Sequence, residues 1–163
     1  MSFARHGTGP GAALRALASQ VHPVFMLPPI GAAWFGAILA TRQAADSFDP
    51  GIAAVHLGAV FFGLYTAHVT DGYVDFYGRG EDDDHPLSSC GCRTALVGAS
   101  VGFFACLLAI GLLAGVGAAL LTLPGWLIAV NHAPRLDTHP VGATAGYPLG
   151  IGFALVGGYY VQA

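Results

Sequence analysis

Apolar positions in this chain come in long blocks, not in the alternation of a half-buried strand or the single stripe of a surface helix. Five blocks stand out, at about 24–40, 51–69, 94–113, 114–130 and 146–161. A helix needs roughly 20 predominantly apolar residues to cross the hydrocarbon core, and about 17 is near the lower limit. The pattern predicts an all-α fold: a polytopic membrane helix bundle of about five transmembrane helices, forming a single transmembrane domain over 1–163. The third and fourth blocks almost touch, and Gly111, Gly115 and Gly117 supply a turn between them. Pro28 and Pro29 predict a bend in the first helix and Pro124 one in the fourth. Residues 12–20 predict a short helix lying at the interface, which makes 1–21 a cytoplasmic or interfacial segment. A cleaved leader fits less well, because no small-x-small site follows the long apolar run.

Composition agrees with the blocks. The chain is 55% hydrophobic and only 9% charged, whereas soluble domains carry about a quarter charged residues. That excludes an ordinary soluble globule. Six basic residues, all arginine, face nine acids for a net charge of −3, so no basic surface exists for nucleic acid. Placing the amino terminus inside puts Arg5, Arg15, Arg79, Arg93 and Arg135 on the cytoplasmic side and leaves Arg42 alone outside. This positive-inside bias predicts an integral protein of the cell membrane, with the acidic loop 70–93 in the cytoplasm.

That loop carries the chemistry. The second helix ends in His68, Asp71 and Asp75, followed by Arg79. At about 100° per residue the first three fall within about 60° of one another, and Arg79 joins them if the helix continues past Gly78. Ionisable groups near the bilayer are costly and by default functional. Two carboxylates one turn apart call for a cation, and Mg²⁺ commonly bridges such oxygens to substrate phosphates. Arg79 would add a bidentate phosphate contact. Asp71 and Asp75 read equally well as solvated carboxylates at the membrane surface. The run Glu81-Asp82-Asp83-Asp84 reads as a solvated acidic loop, and Cys90-Gly91-Cys92, even with His85 nearby, is too short for a zinc site. His56 and His132 read as satisfied polar residues.

These residues resemble the UbiA-type intramembrane prenyltransferases, in which the second helix ends in Asn-Asp-x-x-Asp-x-x-x-Asp and a loop closes with Arg-Pro-Leu. On this chain the Asn falls on Ala67, the three acids on His68, Asp71 and Asp75, and the Arg-Pro-Leu on His85-Pro86-Leu87. His22-Pro23 stands where the family has Arg-Pro, and Tyr159-Tyr160-Val161-Gln162 is similar to the menaquinone-type branch. The resemblance implies transfer of a polyprenyl group from an isoprenyl diphosphate to an aromatic or lipid acceptor. It further implies Mg²⁺ on Asp71, Asp75 and His68, diphosphate on Arg79, and a prenyl tail lined by Phe61, Phe62 and Tyr65.

The match has two departures. His68 replaces the first acid, and imidazole is a poor partner for a hard cation. The family bundle has about nine helices and a second aspartate-rich motif, so the five blocks correspond to its amino-terminal half, and Asp137 stands alone in the later loop. A second chain supplying the remaining helices, a truncated frame and a decayed inactive relative are all open. So is a non-catalytic scaffold or subunit whose small residues (Gly111, Gly115, Gly150, Gly157 and Gly158) pack on a partner helix. A small transporter using His68 and Asp71 as a relay is a third class.

Overall fold

Proline opens four of the six helices, at the first turn where its missing N–H costs nothing. The computed structural model describes residues 2–44 and 47–163; Met1, Ala45 and Asp46 lie outside the described residues, so the segment expected over 1–21 is seen from Ser2. The elements are α1 (Pro10–Ala18), α2 (Pro23–Gln43), α3 (Pro50–Tyr73), α4 (Ser89–Leu113), α5 (Val116–Asn131) and α6 (Pro140–Tyr160). Two π-helical turns, Val74–Arg79 and His132–Leu136, prolong α3 and α5. Side chains cap three of the starts: Asp49 accepts from the N–H groups of Gly51 and Ile52, Ser88 from that of Gly91, and His139 Nδ1 from that of Val141.

The fold is an all-α bundle, and five of its helices are long and apolar enough to cross a membrane. Their outward faces carry Leu27, Phe35, Val101, Leu108, Leu112 and Leu120, all exposed, which is what a bilayer-facing surface requires and water does not tolerate in bulk. The third and fourth blocks do separate where glycine was expected, with Gly115 at φ 92 between α4 and α5. The short amino-terminal helix is also present, tied to α3 by the Tyr65 hydroxyl donating to the Leu17 carbonyl at 2.8 Å.

Small residues set the closest helix contacts. A Cβ on Gly36 of α2 would strike the Leu155 carbonyl of α6, and one on Gly158 would strike the Ala33 carbonyl. Gly157 faces His56 of α3 in the same way. So Gly157 and Gly158 are used inside this bundle, not on a face left for a partner; their sequence spacing alone could not distinguish the two. Leucine at 158 leaves the α2–α6 contact nowhere to go, because the obstacle is backbone. Gly158→Leu is expected to destabilise by about 3 kcal/mol or more, read as a lower thermal midpoint of the purified chain. An unchanged midpoint would contradict this packing.

The two ends of the bundle differ. At one, Asp49 and Gln162 exchange hydrogen bonds of 2.9 and 2.8 Å between the start of α3 and the end of α6. At the other lie the amino-terminal segment, the 80–88 loop and the turn after α5. There Ala4 pairs with Leu87 as an isolated bridge, and Arg5 and His6 both reach Asp84, at 3.2 and 2.8 Å. The acidic run is therefore partly held, through Asp84, while Glu81, Asp82 and Asp83 are exposed.

Candidate functional site

Asp71 sits in the last turn of α3, and Asp75 and Arg79 follow at four-residue intervals in the π-helical turn. The helix thus does continue past Gly78, and Gly80 stops it in the left-handed region at φ 68. The wider turn keeps Asp75 and Arg79 together, at 3.2 Å. Single π turns inside α-helices occur frequently at functional sites.

A third carboxylate arrives from across the bundle. Carboxylate oxygens of Asp71, Asp75 and Asp137 all lie within 4.8 Å of one another. Asp137 caps the π-helical turn that prolongs α5, and Arg79 clamps it with both guanidinium nitrogens, at 2.7 and 3.0 Å. Arg79 also donates to the Ala133 carbonyl at 2.6 Å. The hydrogen bond from Arg79 holds the Asp137 carboxyl below the usual carboxylate range. By spacing alone Asp137 stands apart; the signal that could have found it is that it is the one acid in the loop that shares an end with Asp71 and Asp75.

Charge decides what this arrangement can do. Each carboxylate pair at this separation repels by about 3–4 kcal/mol at an effective dielectric near 20. Three carboxylates against one guanidinium leave two negative charges uncompensated. Hard oxygen donors with that excess suit a divalent cation such as Mg²⁺.

His68 is not part of the triad. Its ring packs on His22, with centroids 4.6 Å apart, and lies 6.1 Å from Phe25. Its Nε2 is buried without a hydrogen-bond partner. His68, expected beside Asp71 and Asp75, thus lies apart from the three acids: its imidazole packs on His22, the residue before α2, and Asp137 is the third side chain that joins Asp71 and Asp75. His85 is buried too, with Nδ1 accepting from the Leu87 N–H at 3.2 Å. Its Nε2 lies over Gly72, 2.6 Å from where a Cβ would stand, which seats the loop on the helix between Asp71 and Asp75. Cys90 is exposed and Cys92 buried beside His85, so the Cys-Gly-Cys run points in two directions.

Below the triad a cavity of about 100 Å³ runs between α3, α5 and α6, from Ala67 and His132 near the acids down to His56. On α3 it is bordered by Val60, Gly63, Leu64 and Ala67. Phe61, Phe62 and Tyr65 lie on the opposite side of α3 and border a separate groove of about 370 Å³ with Thr94, Ala95 and Ala99 of α4. The tail lining expected of them therefore does not adjoin this cavity; at 100° per residue they face α4 and α1. Compared with protein-family profiles, with curated proteins and with solved structures, the chain matches none.

Proposed function

We propose that this chain is a membrane protein that binds an isoprenyl diphosphate at its cytoplasmic end, as a UbiA-type prenyltransferase or the amino-terminal half of one. The observation that carries the reading is the convergence of Asp137 on Asp71 and Asp75, beside Arg79 and above an apolar cavity. Arginine placement supports the orientation. Five of the six arginines belong to segments at the acid-bearing end and only Arg42 to the other. Length supports the depth: about 20 residues of α3 from Pro50 span the hydrocarbon, which leaves Asp71 at its inner edge.

Asp71, Asp75 and Asp137 would hold Mg²⁺, which when bound neutralises the departing diphosphate. In its absence Arg79 holds the acids together. The Arg79 guanidinium, beside those acids, would pair with phosphate oxygens, for which its planar fork is suited. The apolar walls below exclude water from whatever apolar chain follows the diphosphate. On this reading the acceptor is an aromatic ring or a lipid.

One reading competes, and Arg79 favours it. A guanidinium bonded to two acids and a carbonyl is a sufficient clamp between the two π-helical turns, as a non-catalytic membrane subunit would need. Binding of farnesyl diphosphate to the purified full chain separates the two. The proposal expects saturable binding in Mg²⁺ that EDTA abolishes, measured by calorimetric titration. Binding indifferent to EDTA, or none at all, leaves the clamp.

A further inference from the structure

The groove of about 370 Å³ between α3 and α4 takes no part in the proposed diphosphate site, because it lies on the other side of α3 from the cavity next to the acids. The helices that line it set its depth. Phe61 and Tyr65 lie about 15 and 9 Å below Asp71 along the axis of α3. Half of the hydrocarbon core is about 15 Å, so the groove stands at the depth of the acyl chains in the leaflet on the acid-bearing side. It is closed at both ends and open to that leaflet. The Tyr65 hydroxyl donates to the Leu17 carbonyl at 2.8 Å, so α1 and Phe3 roof the end nearer the acids. At the deep end the Phe62 ring fills the space beside Gly102, 2.8 Å from where a Cβ would stand. One turn nearer the roof, a Cβ on Gly98 would meet nothing within 4 Å. Val97 and Val101, beside Gly98 in the chain, are exposed on the bilayer-facing surface. The groove therefore carries that surface inward, under α1.

We propose that this groove binds one acyl chain of an anionic phospholipid, whose headgroup lies at the level of α1. The space is more than twice the roughly 150 Å³ of a cavity that takes benzene, so a chain fills it and a single small solute does not. Charge selects the headgroup. Arg15 stands two residues before Leu17 on α1, and Arg93 next to Thr94 on α4, so each of the two helices brings one arginine to the mouth of the groove. Both are exposed. Arg5 and Arg79 are paired with acids, whereas neither Arg15 nor Arg93 meets a carboxylate among the described residues. Arg93 reaches only the Tyr73 hydroxyl, at 3.5 Å. Arginines placed this way at a membrane surface each favour anionic lipid by roughly fivefold. A second copy of this chain would bring its own Arg15 and Arg93 to the same place and be repelled, which leaves a lipid as the occupant.

The test reconstitutes the full chain in vesicles of equal parts phosphatidylglycerol and phosphatidylcholine, extracts it in mild detergent and weighs it by native mass spectrometry. One retained phosphatidylglycerol per chain is expected. Gly98→Leu projects a side chain into the groove from a position with free space around it, so this variant should keep its thermal midpoint and lose the lipid. Arg15→Gln together with Arg93→Gln leaves the groove open and should lower the preference for phosphatidylglycerol by roughly tenfold or more. A bare chain, or a mass of two chains without lipid, would overturn the proposal. So would a Gly98→Leu variant that keeps its lipid, equal retention of the two phospholipids, or an unchanged preference in the arginine variant. None of these outcomes depends on whether diphosphate binds at the acids.

Discussion

Exchanging Asp71 and Asp75 together for asparagine is expected to weaken Mg²⁺-dependent diphosphate binding by about 100-fold or more, since loss of an outer-shell partner alone costs metal sites about 10–100-fold. The substitution is close to isosteric. It also spares the rest of the clamp, because Arg79 keeps its two contacts to Asp137 and its bond to the Ala133 carbonyl. The thermal midpoint should therefore stay near that of the parent chain while the binding isotherm collapses. The pair separates the proposed function from a solvated or structural role. Solvated carboxylates would leave binding as it was, and a purely structural pair would lower the midpoint.

Arg79→Gln should produce effects of opposite sign on two ligands. The guanidinium neutralises one of three converging carboxylate charges. Without it the acids are left with a larger excess of negative charge, and a divalent cation is expected to bind several-fold more tightly. The diphosphate loses a charged hydrogen-bonding partner worth about 1.5–3 kcal/mol, a weakening of roughly 10- to 150-fold. Arg79→Lys keeps the charge and loses the fork, and should fall between the two. Titrations of Mn²⁺ and of farnesyl diphosphate on the same preparations check both directions. If both ligands weaken together, Arg79 acts by holding the turns in place and not by competing with the ion.

The sequence was most legible where a single physical term dominates. Burial in lipid demands long apolar runs, and each of the five predicted blocks matches one of the five long helices: 94–113 lies inside Ser89–Leu113 and 51–69 inside Pro50–Tyr73, while 114–130 starts two residues before Val116 and 146–161 ends one residue past Tyr160. Gly115 marked the one tight junction because its φ of 92 is open to glycine and strained for other residues. Ends were less legible. The π-helical turns after Tyr73 and Asn131 extend both helices into what composition reads as loop. Their stability comes from Arg79 and Asp137 meeting across the bundle, a contact between residues far apart in the chain.

The site divides along the same line. Asp71, Asp75 and Arg79 share one helix, so their spacing alone put them together. Asp137 is far along the chain and comes from another helix, and no periodicity links it to the others. His68 fits the spacing as well as Asp71 does, yet its ring meets His22, the residue just before α2. Neighbours from other helices decide whether such a side chain joins a site. The aromatic trio depends on neighbours too: the rotation of α3 turns Phe61, Phe62 and Tyr65 toward α4, where they line a groove apart from the cavity next to the acids.

Electron paramagnetic resonance of Mn²⁺ titrated into the purified full chain tests the central claim most directly. The account predicts one bound ion per chain, displaced by Mg²⁺ and absent from the Asp71→Asn, Asp75→Asn double variant. A chain that leaves Mn²⁺ free in solution, or a double variant that still holds it, would contradict it.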